Sequence, residues 1–470
     1  MSPKIYGVIE RNRFTFVLCL PRFKRRSWIT LNSFLLILLN SSGIQFARRL
    51  TLTIALYILA AFILTPMVVF ALARLWVMVL APQSIQGSDL HMLKWCIQEQ
   101  TRAWAGFHIT LEPDAPYKEI KREIKENIAT DMERPESTYR RGLDLDRRAY
   151  VFYEGYTPDD VLQDTLSDAA FFRLADDRNR ELIYRFHDQR ELIGALFDHT
   201  VWDGVRMFNE TLAPAIKSKT FDSRWLLGDR YIPIAAEALM LYTLIRMSLR
   251  WLTHKPLPLL PNQRQQKLLR HRLYKSEITS LKERAGCKFT AALLARWSHR
   301  LYEALPQERS VVRFGLVVGM KSERFRNNYS VLIIDVPRHD DPVVQAKVIQ
   351  SQMQSRAIEV MPLYHLISLI EVQTTLKKTM VDCLFSPGIF DRGEGPSQYV
   401  RDLFLYIMPT SMPMYSFACS LGDEITLSTT WNCPEVSLAQ LSSDAEALYE
   451  QRDDHVISPI FETAWSQEES

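Results

Sequence analysis

One segment of this chain combines residue types that together can move a proton: Ile193-Gly194-Ala195-Leu196-Phe197-Asp198-His199-Thr200-Val201-Trp202-Asp203-Gly204. An apolar strand from Leu192 to Phe197 is expected to run buried and, where it leaves its sheet, to deliver His199, then Asp203 four residues on, then Gly204. A neutral imidazole takes a proton from a hydroxyl, amine or thiol near pH 7, and a carboxylate in the same tight turn holds the turn rigid and favours the useful tautomer. Glycine at 204 lets the backbone bend sharply or approach a partner closely. Asp198 and Trp202 complete the element as supporting positions. By residue type and spacing alone, a surface histidine beside a capping aspartate is the commoner reading of such a segment.

The remaining composition narrows what such a base could serve. The chain has 470 residues, enough for about two to three domains with a large core. Its 57 basic and 54 acidic residues leave a net charge of +3, too balanced for a protein that works on a phosphate backbone. No G-x-G-x-x-G, G-x-x-x-x-G-K-[ST] or G-x-S-x-G occurs, which removes dinucleotide sites, P-loops and the serine-hydrolase elbow. Cys19, Cys96, Cys287, Cys383, Cys419 and Cys433 are scattered, without the spacing of a zinc site or a disulfide framework, and fit a reducing compartment. The histidines show no metal-binding spacing, so no metal is expected.

The front of the chain has a different character. Leu50 to Ala73 carries no charged residue and is long enough to cross a bilayer as a helix, flanked by Arg48, Arg49 and Arg74, with Pro66 tolerable inside it. Trp28 to Ile44 is apolar but broken by Asn32, Asn40, Ser41 and Ser42, which fits a second span, a re-entrant arm or an interfacial helix. A hairpin-like pair is the preferred reading. Lys4, Arg11, Arg13, Arg22, Lys24, Arg25 and Arg26 against Glu10 hold the N-terminus in the cytoplasm, so two spans return the body to that side. The organisation expected is a basic segment 1–26, an anchor 27–82, and two lobes, 89–260 with the His199 element and 261–460.

The body reads as mixed α/β. Apolar residues recur three to four apart over His91–Trp104, Pro158–Leu166, Thr290–Ala304, Val343–Val360 and Ser437–Glu450, predicting helices. Runs rich in β-branched and aromatic residues predict strands at Ala149–Tyr153, Glu181–Phe186, Leu192–Phe197, Val311–Val318, Ser330–Val336, Met414–Cys419 and Glu424–Thr430. The polar His187-Asp188-Gln189-Arg190 between two of these predicts a hairpin. Tyr231–Leu252, with Glu237, Arg246 and Arg250, reads as a helix on or near a membrane, or equally as an ordinary surface helix, before the linker of Pro256, Pro258 and Pro261. Gly388–Ser397 reads as an exposed loop.

The His199 to Gly204 element resembles the H-H-x-x-x-D-G motif of the coenzyme-A-dependent acyltransferase superfamily. That group includes chloramphenicol acetyltransferase, plant BAHD acyltransferases, wax ester synthase/diacylglycerol acyltransferases and the condensation domains of peptide synthetases. Arg326-Asn327-Asn328-Tyr329-Ser330 before a strand, and Leu421-Gly422-Asp423-Glu424-Ile425-Thr426-Leu427 with Trp431-Asn432, are similar to its later segments in order and spacing. The resemblance covers about Asp89 to Arg452.

The resemblance implies a two-lobed chloramphenicol acetyltransferase-like α/β fold with mixed sheets and an interlobe tunnel. It implies His199 as general base, and Asp203 as a structural carboxylate paired with an arginine, for which Arg313 and Arg324 are candidates. Asp198 stands where some branches have a first histidine; a carboxylate there favours the charged imidazole. Ser411 and Ser416 are the hydroxyls considered for the oxyanion or substrate. The plant D-F-G-W-G signature is absent. With the anchor, the activity implied is transfer of an acyl group from acyl-CoA, as co-substrate with no tightly bound cofactor, to a hydroxyl or amine of a lipophilic acceptor, by a catalytic domain facing the cytosol. A noncatalytic membrane-tethered binding or scaffold protein on the same fold, and a condensation-like transferase using a carrier-protein thioester, are the alternatives.

Overall fold

The computed structural model describes residues 104–134, 137, 139, 141–144, 149–152, 157–164, 171, 182–199, 212, 240–260, 267–319, 329–360, 363, 381–390, 396–407, 412–443 and 445–450, with Thr53, Ile54 and Tyr57 ahead of them. The chain divides into two compact units, Met1–Val69 and Phe70–Ser470, and the elements below belong to the second. The expected anchor lies otherwise outside the described residues. Among the described residues no helix is long and apolar enough to cross a membrane.

The first main sheet has five strands, in the order β11-β1-β6-β5-β4. These are β1 (Trp104–Leu111), β4 (Leu162–Asp164), β5 (Leu182–His187), β6 (Leu192–Asp198) and β11 (Val400–Ile407). Helix α1 (Tyr117–Met132) places Ile120, Ile124 and Ile128 three to four residues apart, and this stripe is buried with Phe107, Ile109, Tyr184, Ile193 and Leu405 of the sheet. Strands β5 and β6 form the expected hairpin. Its turn, Asp188–Arg190, ends on Glu191 at φ 48°, and Asp188 accepts hydrogen bonds from Tyr117 and Lys121 of α1 at 3.0 and 2.7 Å. The turn is thereby pinned to the helix, fixing where β6 starts.

The second main sheet has seven strands, in the order β14-β7-β13-β12-β10-β8-β9. They are β7 (Lys267–Tyr274), β8 (Val311–Gly319), β9 (Tyr329–Pro337), β10 (Cys383–Phe390), β12 (Met414–Leu421), β13 (Glu424–Trp431) and β14 (Ala445–Glu450). Helices α4 (Lys275–Ala285), α5 (Phe289–Glu303) and α6 (Pro342–Arg356) join one face of this sheet in a core centred on Trp297, Leu294, Leu301, Phe314 and Phe385. Helix α3 (Met240–Thr253) lies on the other face, with Met247 against Ile333 and Val381. A small hairpin, β2 (Arg141–Asp144) with β3 (Ala149–Phe152), and a single helical turn α2 (Pro158–Val161) complete the first half.

Several expectations change here. Ser437–Glu450 is not one helix: after the short α7 (Leu438–Leu441) the chain becomes β14, which pairs with β7 at the sheet edge. The open edge of β7 offers hydrogen bonds that override the local helical period. Pro158–Leu166 is likewise split, since its helix stops at Val161 and Leu162–Asp164 adds to β5 as a parallel strand. Trp104 opens β1 and does not end a helix; Gly388, Ile389 and Phe390 finish β10 and are not loop.

A partly buried charge network ties α3 to the second sheet. Arg313 donates from Nε to Asp335 at 2.6 Å, while Arg250 and Arg356 reach the other carboxylate oxygen at 2.9 and 3.1 Å. Burial alone would raise the Asp335 pKa. The Arg313 hydrogen bond and the charges of Arg250, Arg313 and Arg356 outweigh it and hold the group at about 2. A depressed pKa adds stability above the unfolded value and loses it as pH falls through the folded one. Asp335→Asn is therefore expected to cost roughly 2–3 kcal/mol at neutral pH. In denaturant unfolding, the gap to wild type should be full above about pH 4 and close as pH falls toward about 2. A gap that does not change with pH over that range contradicts this account.

Candidate active site

Strand β6 is buried along its whole length between β1 and β5. Antiparallel register sets directly opposed residues on one face, so Asp198, Leu196, Gly194 and Leu192 share a face with Trp104, Gly106, His108 and Thr110 of β1. The same face carries Asp402, Phe404 and Tyr406 from β11 and Ile183, Arg185 and His187 from β5. The opposite face is the apolar core under α1. One side of the first sheet is thus hydrocarbon and the other is a buried polar layer.

That layer is tightly built. Arg185 is 0% exposed, its guanidinium 4.7 Å from the Phe171 ring centre. His108 lies 5.5 Å from the Tyr406 ring and 5.9 Å from Phe171. Two glycines make room for these rings. A Cβ on Gly194 would come within 2.8 Å of His108, and one on Gly106 within 2.5 Å of Tyr406. From the second sheet, Arg270 of β7 reaches across to form an ion pair with Asp402 and sits 5.2 Å over the Phe404 ring. The Arg270–Asp402 ion pair is thus a charged contact between the two sheets at the edge strand β11.

Asp198 ends β6 fully buried, and His199 follows as the first residue of the turn, partly buried, its ring edge-on to Phe197 at 6.0 Å. Trp202, Asp203 and Gly204 lie outside the described residues, as do Ser411 and Arg324. Arg313 is engaged by Asp335 and by the Arg250 carbonyl. Ser416 sits fully buried on the helix-covered face of β12, 3.2 Å from the Thr429 hydroxyl and 3.6 Å from the Cys383 thiol. Tyr415, Cys419 and Leu421, its alternating neighbours, instead join the core of the first sheet. The structure thus does not bring Ser416 to the face that carries Arg270.

His108, Arg185 and Tyr406 were not singled out in the sequence. A single polar residue inside a short apolar run, as in Leu182-Ile183-Tyr184-Arg185-Phe186 or Gly106-Phe107-His108-Ile109, is the signal that could have found the first two. Among the described residues no cluster of histidine, cysteine and carboxylates could hold a metal ion.

No protein-family model matches the chain, and no curated protein matches it by sequence. Solved structures do match. The TRI3 trichothecene 15-O-acetyltransferase from Fusarium sporotrichioides superposes with a TM-score of 0.53 at 9% identity, over 74% of this chain and 90% of that one. A nonribosomal peptide synthetase, FmoA3 in its α-methyl-L-serine-AMP-bound form, superposes with a TM-score of 0.50 at 11% identity, over 77% of this chain but 43% of its own. The chain thus shares its fold with an O-acetyltransferase and with part of a nonribosomal peptide synthetase.

The close approach of Tyr406 to Gly106 gives a direct check on this layer. Gly106→Ala is expected to lose about 1–3 kcal/mol of stability through overpacking. In the Tyr406→Ala background Gly106→Ala should cost much less, a coupling read in a double-mutant cycle. Purely additive effects of the two changes would show that the ring does not sit over the glycine.

Proposed function

We propose that this chain is an acyltransferase that moves an acyl group from acyl-CoA to a hydroxyl or amine of a lipophilic acceptor, with His199 as general base. The observation that carries the reading is the placement of His199: it follows directly on a central strand whose polar face is buried, in a fold shared with an O-acetyltransferase. In the proposed reaction the imidazole takes the proton of the acceptor hydroxyl or amine as that atom attacks the thioester carbonyl. The tetrahedral oxyanion then collapses, the carbon–sulfur bond breaks, and the imidazolium returns the proton to the departing thiolate. Asp203 would hold the turn, paired with an arginine, and donors for the oxyanion would come from the interface between two lobes enclosing a tunnel.

The charge-free run Leu50–Ala73 supports placing this chemistry at a membrane, where a lipophilic acceptor is concentrated. A hairpin anchor keeps the body on the side where acyl-CoA is made available. In sealed vesicles with the cytosolic face outward, added protease should digest the body; a fully protected body contradicts that orientation.

The chemistry is tested with detergent-purified full chain and a panel of acyl-CoAs from acetyl to palmitoyl, reading free thiol with and without lipid extract. Wild type is expected to release thiol only when extract is present, and His199→Ala should lose at least about a hundredfold. If no donor gives release, or the variant matches wild type, a noncatalytic binding protein or a carrier-thioester transferase replaces this reading.

A further inference from the structure

Helix α3 is built inside out for a helix facing water. A water-facing helix turns its charges to solvent and its apolar stripe to the core. Here the only two charged residues of Met240–Thr253, both arginines, are directed into the protein: Arg246 to Glu359 at 3.2 Å, Arg250 to Asp335 at 2.9 Å and to Glu359 at 3.5 Å. Thr243 and Met247 are buried with them. Ile245 and Leu249 are left outward, 48% and 58% exposed, and Ile358, beside Glu359 in the adjoining turn Ala357–Glu359, is 47% exposed. The buried Glu359 and the partly buried Asp335 thus engage both arginines, and large aliphatic side chains are left on the surface.

We propose that this face, formed by α3 and the Ala357–Glu359 turn, rests on a bilayer surface that contains anionic lipid. The described part of the helix, 14 residues and about 21 Å, carries two arginines held by acids of the protein, which suits it to lying along a bilayer. Met240–Thr253 has no acidic residue and runs on into the exposed Lys255, and the Arg246 side chain, paired on one side with Glu359, is still 35% exposed at the helix edge. That rim complements anionic headgroups while Ile245, Leu249 and Ile358 enter the acyl boundary. The charge-free run Leu50–Ala73 in the same chain brings the body to such a surface. The proposal shares its membrane placement with the proposed function, but it needs none of the chemistry at His199.

The test places an environment-sensitive nitrobenzoxadiazole label on the full chain at Leu249→Cys, at Ile245→Cys as a second position, and at Glu283→Cys as a control. Glu283 is exposed on α4, which covers the opposite face of the second sheet. The unsubstituted chain, labelled in parallel, supplies the background, and thermal melting checks that each labelled chain is folded. Chains are reconstituted with phosphatidylcholine vesicles with and without phosphatidylglycerol, floated, and read for quenching by a nitroxide lipid and by aqueous iodide.

The expected result is severalfold stronger lipid quenching at 249 and 245 than at 283, increased by phosphatidylglycerol, with iodide access lost at the same positions. Chains that float with vesicles but keep 249 and 245 open to iodide overturn the proposal while leaving the anchor intact. Labels at 249 and 245 shielded from both quenchers place a protein there, a second copy or a partner, and also overturn it. Chains that do not float overturn both the proposal and the anchor. The readout involves no turnover, so the same result is expected in His199→Ala, and loss of acyl transfer in that variant is scored separately.

Discussion

A strand shows alternate side chains to opposite sides, and in the first sheet that alternation separates two kinds of chemistry. Phe107, Ile109, Ile193, Ala195, Tyr184, Phe186, Leu403 and Leu405 face α1 and close an apolar core. The residues between them, among them His108, Arg185 and Asp402, face the other way. Since the period is two, a slip of one residue in β6 would drive Asp198 into hydrocarbon and expose Phe197 to the polar side. Every feature of the site depends on that register. It is held at one end by the hairpin turn pinned through Asp188 to α1, and across the sheet by the seating of His108 over Gly194.

The polar layer also depends on a strand from far along the chain. Strand β11 joins the edge of the first sheet beside β1 and carries Phe404 and Tyr406 into the layer, while Asp402 takes the ion pair from Arg270 of the second sheet. Just ahead of β10, Asp382 fixes the connection that follows α3. Its buried carboxylate accepts from the backbone of Leu257 and Arg313, each at 2.8 Å, and lies 3.1 Å from His254. The proline-rich connection after α3 is therefore fixed by charge and not only by its own stiffness.

Much of this was legible in the sequence, and for stated reasons. The β5–β6 hairpin, β8, β9, β12, β13 and α5 each carry an apolar pattern bounded by polar or turn residues, and the structure places them within a residue or two. Strands β1, β7 and β11 were not recognised. Lys267-Leu268-Leu269-Arg270-His271-Arg272 has the charge of a surface segment, and only its partners β13 and β14 make it a strand. Ser437–Glu450 failed for the converse reason, an edge strand claiming a segment with helical spacing. Asp198 and His199 stand where the sequence puts them, at the end of β6, because the apolar run before them forms a recognisable strand. The layer of His108, Arg185 and Tyr406 could not, because it is assembled from three strands whose adjacency no local pattern encodes. Ser416 is the clearest lesson about faces: a hydroxyl in a strand is as often buried between neighbours such as Thr429 and Cys383 as presented to a ligand.

The proposed function makes a spatial claim: the reacting carbonyl of an acyl donor would lie against His199 and the polar side of the first sheet. The measurement that tests it most directly is a structure of the full chain with an unreactive ketone analogue of acyl-CoA. The account predicts the ketone carbon beside the His199 ring, with the acyl chain or pantetheine running between the two sheets. An analogue that binds with its ketone away from His199, or on the helix-covered face of the second sheet, would contradict it.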